Sequence, residues 1–281
     1  MNRPKDNDLR LAVLIFILSL GSFAHAQSAC YDIFRKSPEL GELAPIPQLE
    51  YWEQALNIPV LRQAQSAVFI PVVKVDVNQV SALTLPGFEN IAHFFEGQWL
   101  QHPLNTDRTV PFYGEPASSQ LSANYSASRS LFFEIEGVFY SIKLPTDRPN
   151  PQANPQPEKS DLKILGPLSV RRSQAIKQID DQRGRSPFLQ VLYDVVALVD
   201  KATGNSAVIR DLAPLQDGNY YLPGFSIPYV GRALAQRAGV DFDTVWGEHY
   251  AAAFGHAKAD LLLRYGLLMN SPHAQNILVQ L

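Results

Sequence analysis

A chain of 281 residues, 46% hydrophobic and 18% charged, is long and apolar enough to bury a sizeable core, which excludes wholesale disorder and admits one large domain or two modest lobes. The formal charge of −3, with no dense Lys/Arg stripe interleaved with aromatics, argues against a nucleic-acid partner. Cys30 is the only cysteine, so no internal disulfide framework exists; it is either a tolerated free thiol or an inter-chain partner.

The N-terminus has the layout of a secretory leader. Arg3, Lys5 and Arg10 precede the apolar run 11–20, and Ala24-His25-Ala26 supplies an A-x-A cleavage site. The run is too short to be a comfortable permanent span. The expectation is therefore a signal peptide over 1–26 and an exported, periplasmic or secreted mature chain with no stable membrane span; an uncleaved anchor is the alternative.

Residues 27–100 form a mixed α/β segment. Pro38, Pro45 and Pro47 punctuate its start, and 51–55 suit a short helix. The stretch 66–77 (SAVFIPVVKVDV) is β-branched and partly alternating, which predicts a strand carrying Lys74 and Asp76 on one face. In 83–100, the spacing of Phe88, Phe94, Phe95 and Trp99 predicts a helix whose aromatics pack on a core.

A second region, 101–281, opens on a polar turn with His102-Pro103. An exposed loop histidine is more often without a role, and its weight depends on its neighbours. Residues 131–144 (LFFEIEGVFYSIKL) place Glu136-Gly137 between two alternating runs, predicting a hairpin with Lys143 near the end of its second strand. Lys143 either faces an anion or is an edge-strand lysine turned to solvent. A proline-rich surface loop over 145–160 follows, then a strand and helix start over 162–179 carrying Arg171-Arg172. Runs 191–200 and 207–212, joined at Thr203-Gly204-Asn205, predict a second hairpin.

The longest helical pattern is 244–269, with Trp246, Tyr250, Phe254, Ala257, Leu261, Arg264 and Leu268 three and four apart; Asn270 and Pro272 are expected to end it. His249 and His256 lie seven apart on it, without a third metal ligand at a recognisable spacing. After the polar loop that contains His273 and Asn276, 277–281 begins a strand. No Gly-rich phosphate loop, G-x-S-x-G elbow or Cys-x-x-Cys occurs, so any phosphate must be held largely by side chains.

Two hairpins, an irregular crossover, a long helix and a polar loop entering a strand follow the order of a protein-kinase-like fold up to its catalytic loop. His273-Ala274-Gln275-Asn276, after a helix ending in Arg264-Tyr265-Gly266, resembles the IucA/IucC family of siderophore synthetases. His102-Pro103 with Asp107-Arg108 is similar to the family's His-Pro element. Ser128-Arg129-Ser130 resembles its Ser-x-Arg-Thr phosphate loop, Ile142-Lys143-Leu144 its lysine strand, and Ser169-Val170-Arg171 its later arginine.

The resemblance implies an α+β fold: a kinase-like antiparallel sheet lobe followed by a helical region, incomplete at the C-terminus. It implies ATP and Mg²⁺ as cofactors, and a small carboxylate such as citrate plus an amine or alcohol as reactants. Arg129, Lys143 and His273 would be catalytic. Ser128, Ser130 and Arg171 would join them around the nucleotide, His102 and Arg108 would take the carboxylate substrate, and Asn276 the metal. The pattern departs at Ala127, which stands where the family has serine, and at Ser271, which stands where a kinase has its catalytic Asp. The family's metal-binding Asp beyond the last strand has no room. These departures and the leader keep a second reading open, an exported non-catalytic binding protein that retains the fold.

Overall fold

A computed structural model describes residues 68–103, 117–125, 130–145, 162–217, 221–223, 235, 239–269 and 277–280. The expected leader, Cys30, the helix expected over 51–55 and the loop expected beyond Pro145 lie outside them. So do Arg108, Ser128, Arg129, His273 and Asn276.

The described chain is α+β, and its strand pairs are antiparallel. The strands of the main sheet are β1 (Val68–Lys74), β2 (Val80–Thr84), β3 (Gln98–Leu100), β4 (Ser119–Tyr125), β5 (Ser130–Ile135), β6 (Val138–Lys143), β7 (Asp194–Asp200) and β8 (Ser206–Asp211). They lie in the order β2-β7-β8-β6-β5-β4-β1-β3. A small second sheet pairs β9 (Tyr221–Pro223) with β10 (Leu278–Gln280).

The connection from β1 to β2 forces the large sheet to curl. Laid flat, the two strands would be six places apart, roughly 29 Å at ~4.8 Å per strand. The link over 75–79 can span at most roughly 20 Å. The curled inner side holds the main core. Ile70, Val72, Leu131, Phe133, Tyr140, Ile142, Leu198 and Ile209 are buried there, together with Ile91 and Phe95 of helix α1 (Glu89–Phe94) and the turn after it. Phe95 meets Phe133 edge to face at 5.9 Å between ring centroids.

The helix expected over 83–100 is thus corrected. Only Glu89–Phe94 is helical, and the flanks are β2 and β3. Leu85 donates its amide to Val195, and Gly97, at φ 65°, turns the chain into β3. The aromatic spacing reflects burial at Phe95 and Trp99, while Phe94 is 43% exposed.

Helix α2 (Leu162–Arg183) covers the sheet at β7 and β8. No strand precedes it within 162–179, contrary to expectation; all of that stretch is helix, with Pro167 inside it. Its buried stripe is Gly166, Val170, Ser173 and Ile176, at helical spacing. Gly166 is required by proximity: a Cβ there would stand 2.8 Å from Ser206 Cβ and 3.2 Å from Val208 Cγ2.

At the far end of α2, Asp180 Oδ2 accepts from Tyr193 Oη at 2.7 Å and Asp180 Oδ1 from Tyr265 Oη at 2.6 Å. Tyr265 closes helix α3 (Ala251–Tyr265), which continues a π-helical segment, Asp243–Tyr250. Gly266 ends α3 in the left-handed conformation, at φ 64°, where its missing Cβ makes that conformation inexpensive. The helix therefore stops before Asn270 and Pro272. His256 of α3 is exposed and stacks on Phe188 at 4.8 Å.

Candidate functional site

Register alone defines the outer face around Lys143, because residues directly opposite in an antiparallel pair point to the same side and alternate residues share a face. On β6 that face presents Phe139, Ser141 and Lys143. Opposite them on β5 stand Glu134, Phe132 and Ser130. On the other side stand Arg210 beside Ser141 and Val208 beside Lys143, both on β8. Leu212 continues the row beside Phe139, to whose carbonyl it donates at 3.0 Å.

Phe139, Phe132 and Leu212 gather toward one end of this face, with Glu134 exposed beside Phe139, and Ser130, Lys143 and Val208 stand at the other end. At the apolar end Phe132, Leu212, Leu215 and Tyr221 are buried, with Phe139, Leu192 and Leu278 packed against them. At the other end Lys143 is exposed, and α2 closes the flank where Gly166 meets Ser206 and Val208. Between the apolar cluster and α2 lies a polar strip of Ser130, Ser141, Lys143 and Arg210.

Lys143 is not an edge-strand lysine. Strand β6 is bonded to β5 on one side and β8 on the other. An exposed cation on an interior strand is held in place by two ladders and still meets solvent.

Arg210 is held by a second set of contacts. Its Nε donates to Asp194 Oδ1 at 2.8 Å. Asp194 is 7% exposed, its Oδ2 accepts from Ser169 Oγ, and its amide donates to Ser173 Oγ at 2.9 Å. Ser169 and Ser173 are one turn apart on α2, so the helix and the sheet are joined through this carboxylate.

The expected site residues are distributed unevenly. Ser130 and Lys143 are brought directly opposite each other. Arg171 is exposed on α2, beside rather than within its buried stripe. His102 is 1% exposed and follows β3, the edge strand, four places from β6 in the sheet order, rather than standing in an exposed loop. Among the described residues no group of three or more His, Cys, Asp or Glu side chains is placed to hold a metal ion, and Asn276 lies outside them.

Arg210 and Asp194 were not singled out by the sequence. The signal was available in the alternation of Ser206, Val208 and Arg210 along β8, but only the strand pairing shows which residues those positions face.

Comparison with solved structures shows that the chain shares its fold with aerobactin synthetases. The structure of ATP-bound aerobactin synthetase IucA from a hypervirulent pathotype of Klebsiella pneumoniae superposes with a TM-score of 0.58 at 16% identity, covering 98% of this chain and 62% of that one. Aerobactin synthetase IucC from the same source gives a TM-score of 0.55 at 12% identity, covering 95% and 59%. A second IucA structure gives 0.53 at 14%, covering 93% and 58%. The chain thus spans less than two thirds of these neighbours' length. No family model matches it, and no curated protein matches by sequence.

Proposed function

We propose that this chain is a synthetase-like protein that binds Mg·ATP with the phosphates against the Lys143 face, and activates a small carboxylate such as citrate for condensation with an amine or alcohol. In that reaction a carboxylate oxygen attacks the α-phosphorus and pyrophosphate leaves. The amine or alcohol then attacks the acyl carbon, loses its proton and displaces AMP.

The single observation that carries the reading is Lys143 itself, an exposed lysine on a strand fixed from both sides, with Ser130 directly opposite. Charge builds up on phosphate oxygens as the phosphorus becomes pentacoordinate, and a pre-positioned cation stabilises it without reorganising. Two further facts support the reading. Ser130, on this face, directly follows Arg129 in the chain. Leu278, two residues beyond Asn276, packs against the apolar end of the same face. Arg129 and His273 would add positive or donating groups, and Asn276 an oxygen ligand for magnesium, on the strength of the motif resemblance.

Ser271 and the leader expected over 1–26 favour one other reading, an exported binder that uses this face without turnover. Equilibrium binding of Mg·ATP to the full chain, followed by pyrophosphate release with citrate and an amine present, separates the two. Nucleotide binding with release that Lys143→Ala abolishes establishes the synthetase. Binding without release leaves the non-catalytic protein. No binding by folded protein at millimolar nucleotide eliminates the nucleotide site.

A further inference from the structure

We infer that Arg210 is a second cationic contact for the anionic ligand of the Lys143 face, and that Asp194 is the positioning residue that orients it. The inference rests on the proposed polyphosphate reading of that face. It assigns to β8 a role that the motif resemblance gave to Arg171 on α2.

Three observations converge. Arg210 shares the outer face with Lys143, on the adjacent strand: Val208 stands opposite Lys143 and Arg210 two residues further along. Diagonal neighbours of this kind are ~7–8 Å apart, within reach of long side chains, and Ser141 stands directly opposite Arg210. Second, the Arg210 side chain is 49% exposed whereas that of Asp194 is only 10% exposed. The Arg210 side chain is therefore tied to a buried anchor while half of it lies at the surface. Its Nε donates to Asp194, and a planar guanidinium has the geometry for bidentate contact with a phosphate.

The third observation is the depth of the anchor. A surface ion pair leaves both partners mobile and contributes little. Here Ser169 and Ser173 bind the side chain and the amide of Asp194, so the carboxylate is fixed before it meets Arg210. Such an arrangement orients a planar cation, which is what two-point recognition of a phosphate requires. Arg171 has no comparable anchor among the contacts described for α2.

The test is calorimetric binding of inorganic tripolyphosphate and of Mg·ATP to the full chain and to Arg210→Gln, Arg210→Lys, Asp194→Asn and the Asp194→Asn/Arg210→Gln pair. Thermal midpoints are recorded alongside. The paired variant removes both charges without stranding a buried carboxylate, and so remains informative if Arg210→Gln does not fold. Arg210→Gln and the pair are expected to weaken both ligands about tenfold or more and to flatten the salt dependence. Arg210→Lys retains the charge and part of the affinity. Asp194→Asn keeps the cation, so it lowers affinity while leaving the salt dependence as in the wild type, which a purely structural role would not do. Wild-type affinity in folded Arg210→Gln or in the pair, with Lys143→Ala impaired, overturns this inference and leaves the proposed function standing. Failure of the wild-type chain to bind either ligand overturns both.

Discussion

Gly166 of α2 lies so close to Ser206 of β8 that a methyl group on it would overlap the serine side chain, with only 2.8 Å between the two Cβ atoms. Ser206 is fully buried and cannot swing away. Gly166→Ala is expected to destabilise the fold by about 1–3 kcal/mol, the range for overpacking a filled site, despite alanine's better helix propensity. Ser206→Gly should recover most of that loss, and a double-mutant cycle in urea would measure the coupling.

Asp180 draws α2, the start of β7 and the end of α3 together through two phenol hydroxyls. Tyr265→Phe removes one bond and should cost about 1 kcal/mol. Asp180→Ala strips the acceptor from both tyrosines and should cost more than Tyr265→Phe and Tyr193→Phe taken singly. Chemical denaturation of the three variants checks the ranking.

The same pair makes stability fall at alkaline pH. Burial, and then the hydrogen bond to Asp180, push both tyrosines above their ordinary pKa of 10.0. A group whose pKa is raised by folding stabilises the native state fully below its unfolded pKa, and that contribution is lost as pH rises through the folded value. Stability of the wild type should therefore decline steeply above about pH 10. The Tyr193→Phe/Tyr265→Phe variant should decline less, and an unchanged slope would contradict the assignment.

The hairpin turn joining β5 to β6 offers a stabilising change. Glu136 adopts φ 52° and Gly137 φ 80°, the signature of a tight turn that prefers Asn-Gly. Glutamate is held in a left-handed conformation that costs roughly 1 kcal/mol. Glu136→Asn should raise the thermal midpoint, while Gly137→Val, which forces a branched side chain into the same region, should lower it.

The hairpins were legible because their punctuation is local. Glu136-Gly137 and Thr203-Gly204-Asn205 each separate apolar runs of strand length, and both turns are found where the sequence puts them. The stretch from Leu83 to Leu100 misled because, of the aromatics whose spacing suggested one helix, Phe95 and Trp99 are buried from different elements while Phe94 is exposed. What converts their neighbours into β2 and β3 is pairing with Val196–Asp200 and Val72–Lys74, far away in sequence. Helix α2 was read only in part, since Gly166-Pro167 is a breaker pair by propensity and is retained because the sheet lies against it. Lys143 was found through a motif, and its setting was half legible: the hairpin fixed Ser130 opposite it, whereas β8 on its other flank came only with the topology. Arg210 carries no motif, and its partner Asp194 acquires meaning only once Ser169 and Ser173 arrive from α2.

The two ladders that flank β6 have a thermodynamic consequence. A ligand meeting Lys143 need not first order the backbone that carries it, because β5 and β8 already hold that strand, so the entropy of ordering that a loop-borne lysine would lose on binding was lost during folding instead. Association at this face should accordingly show a modest entropic penalty, and the backbone amides of Ile142 and Lys143 should exchange with solvent at the same slow rate before and after ligand is added.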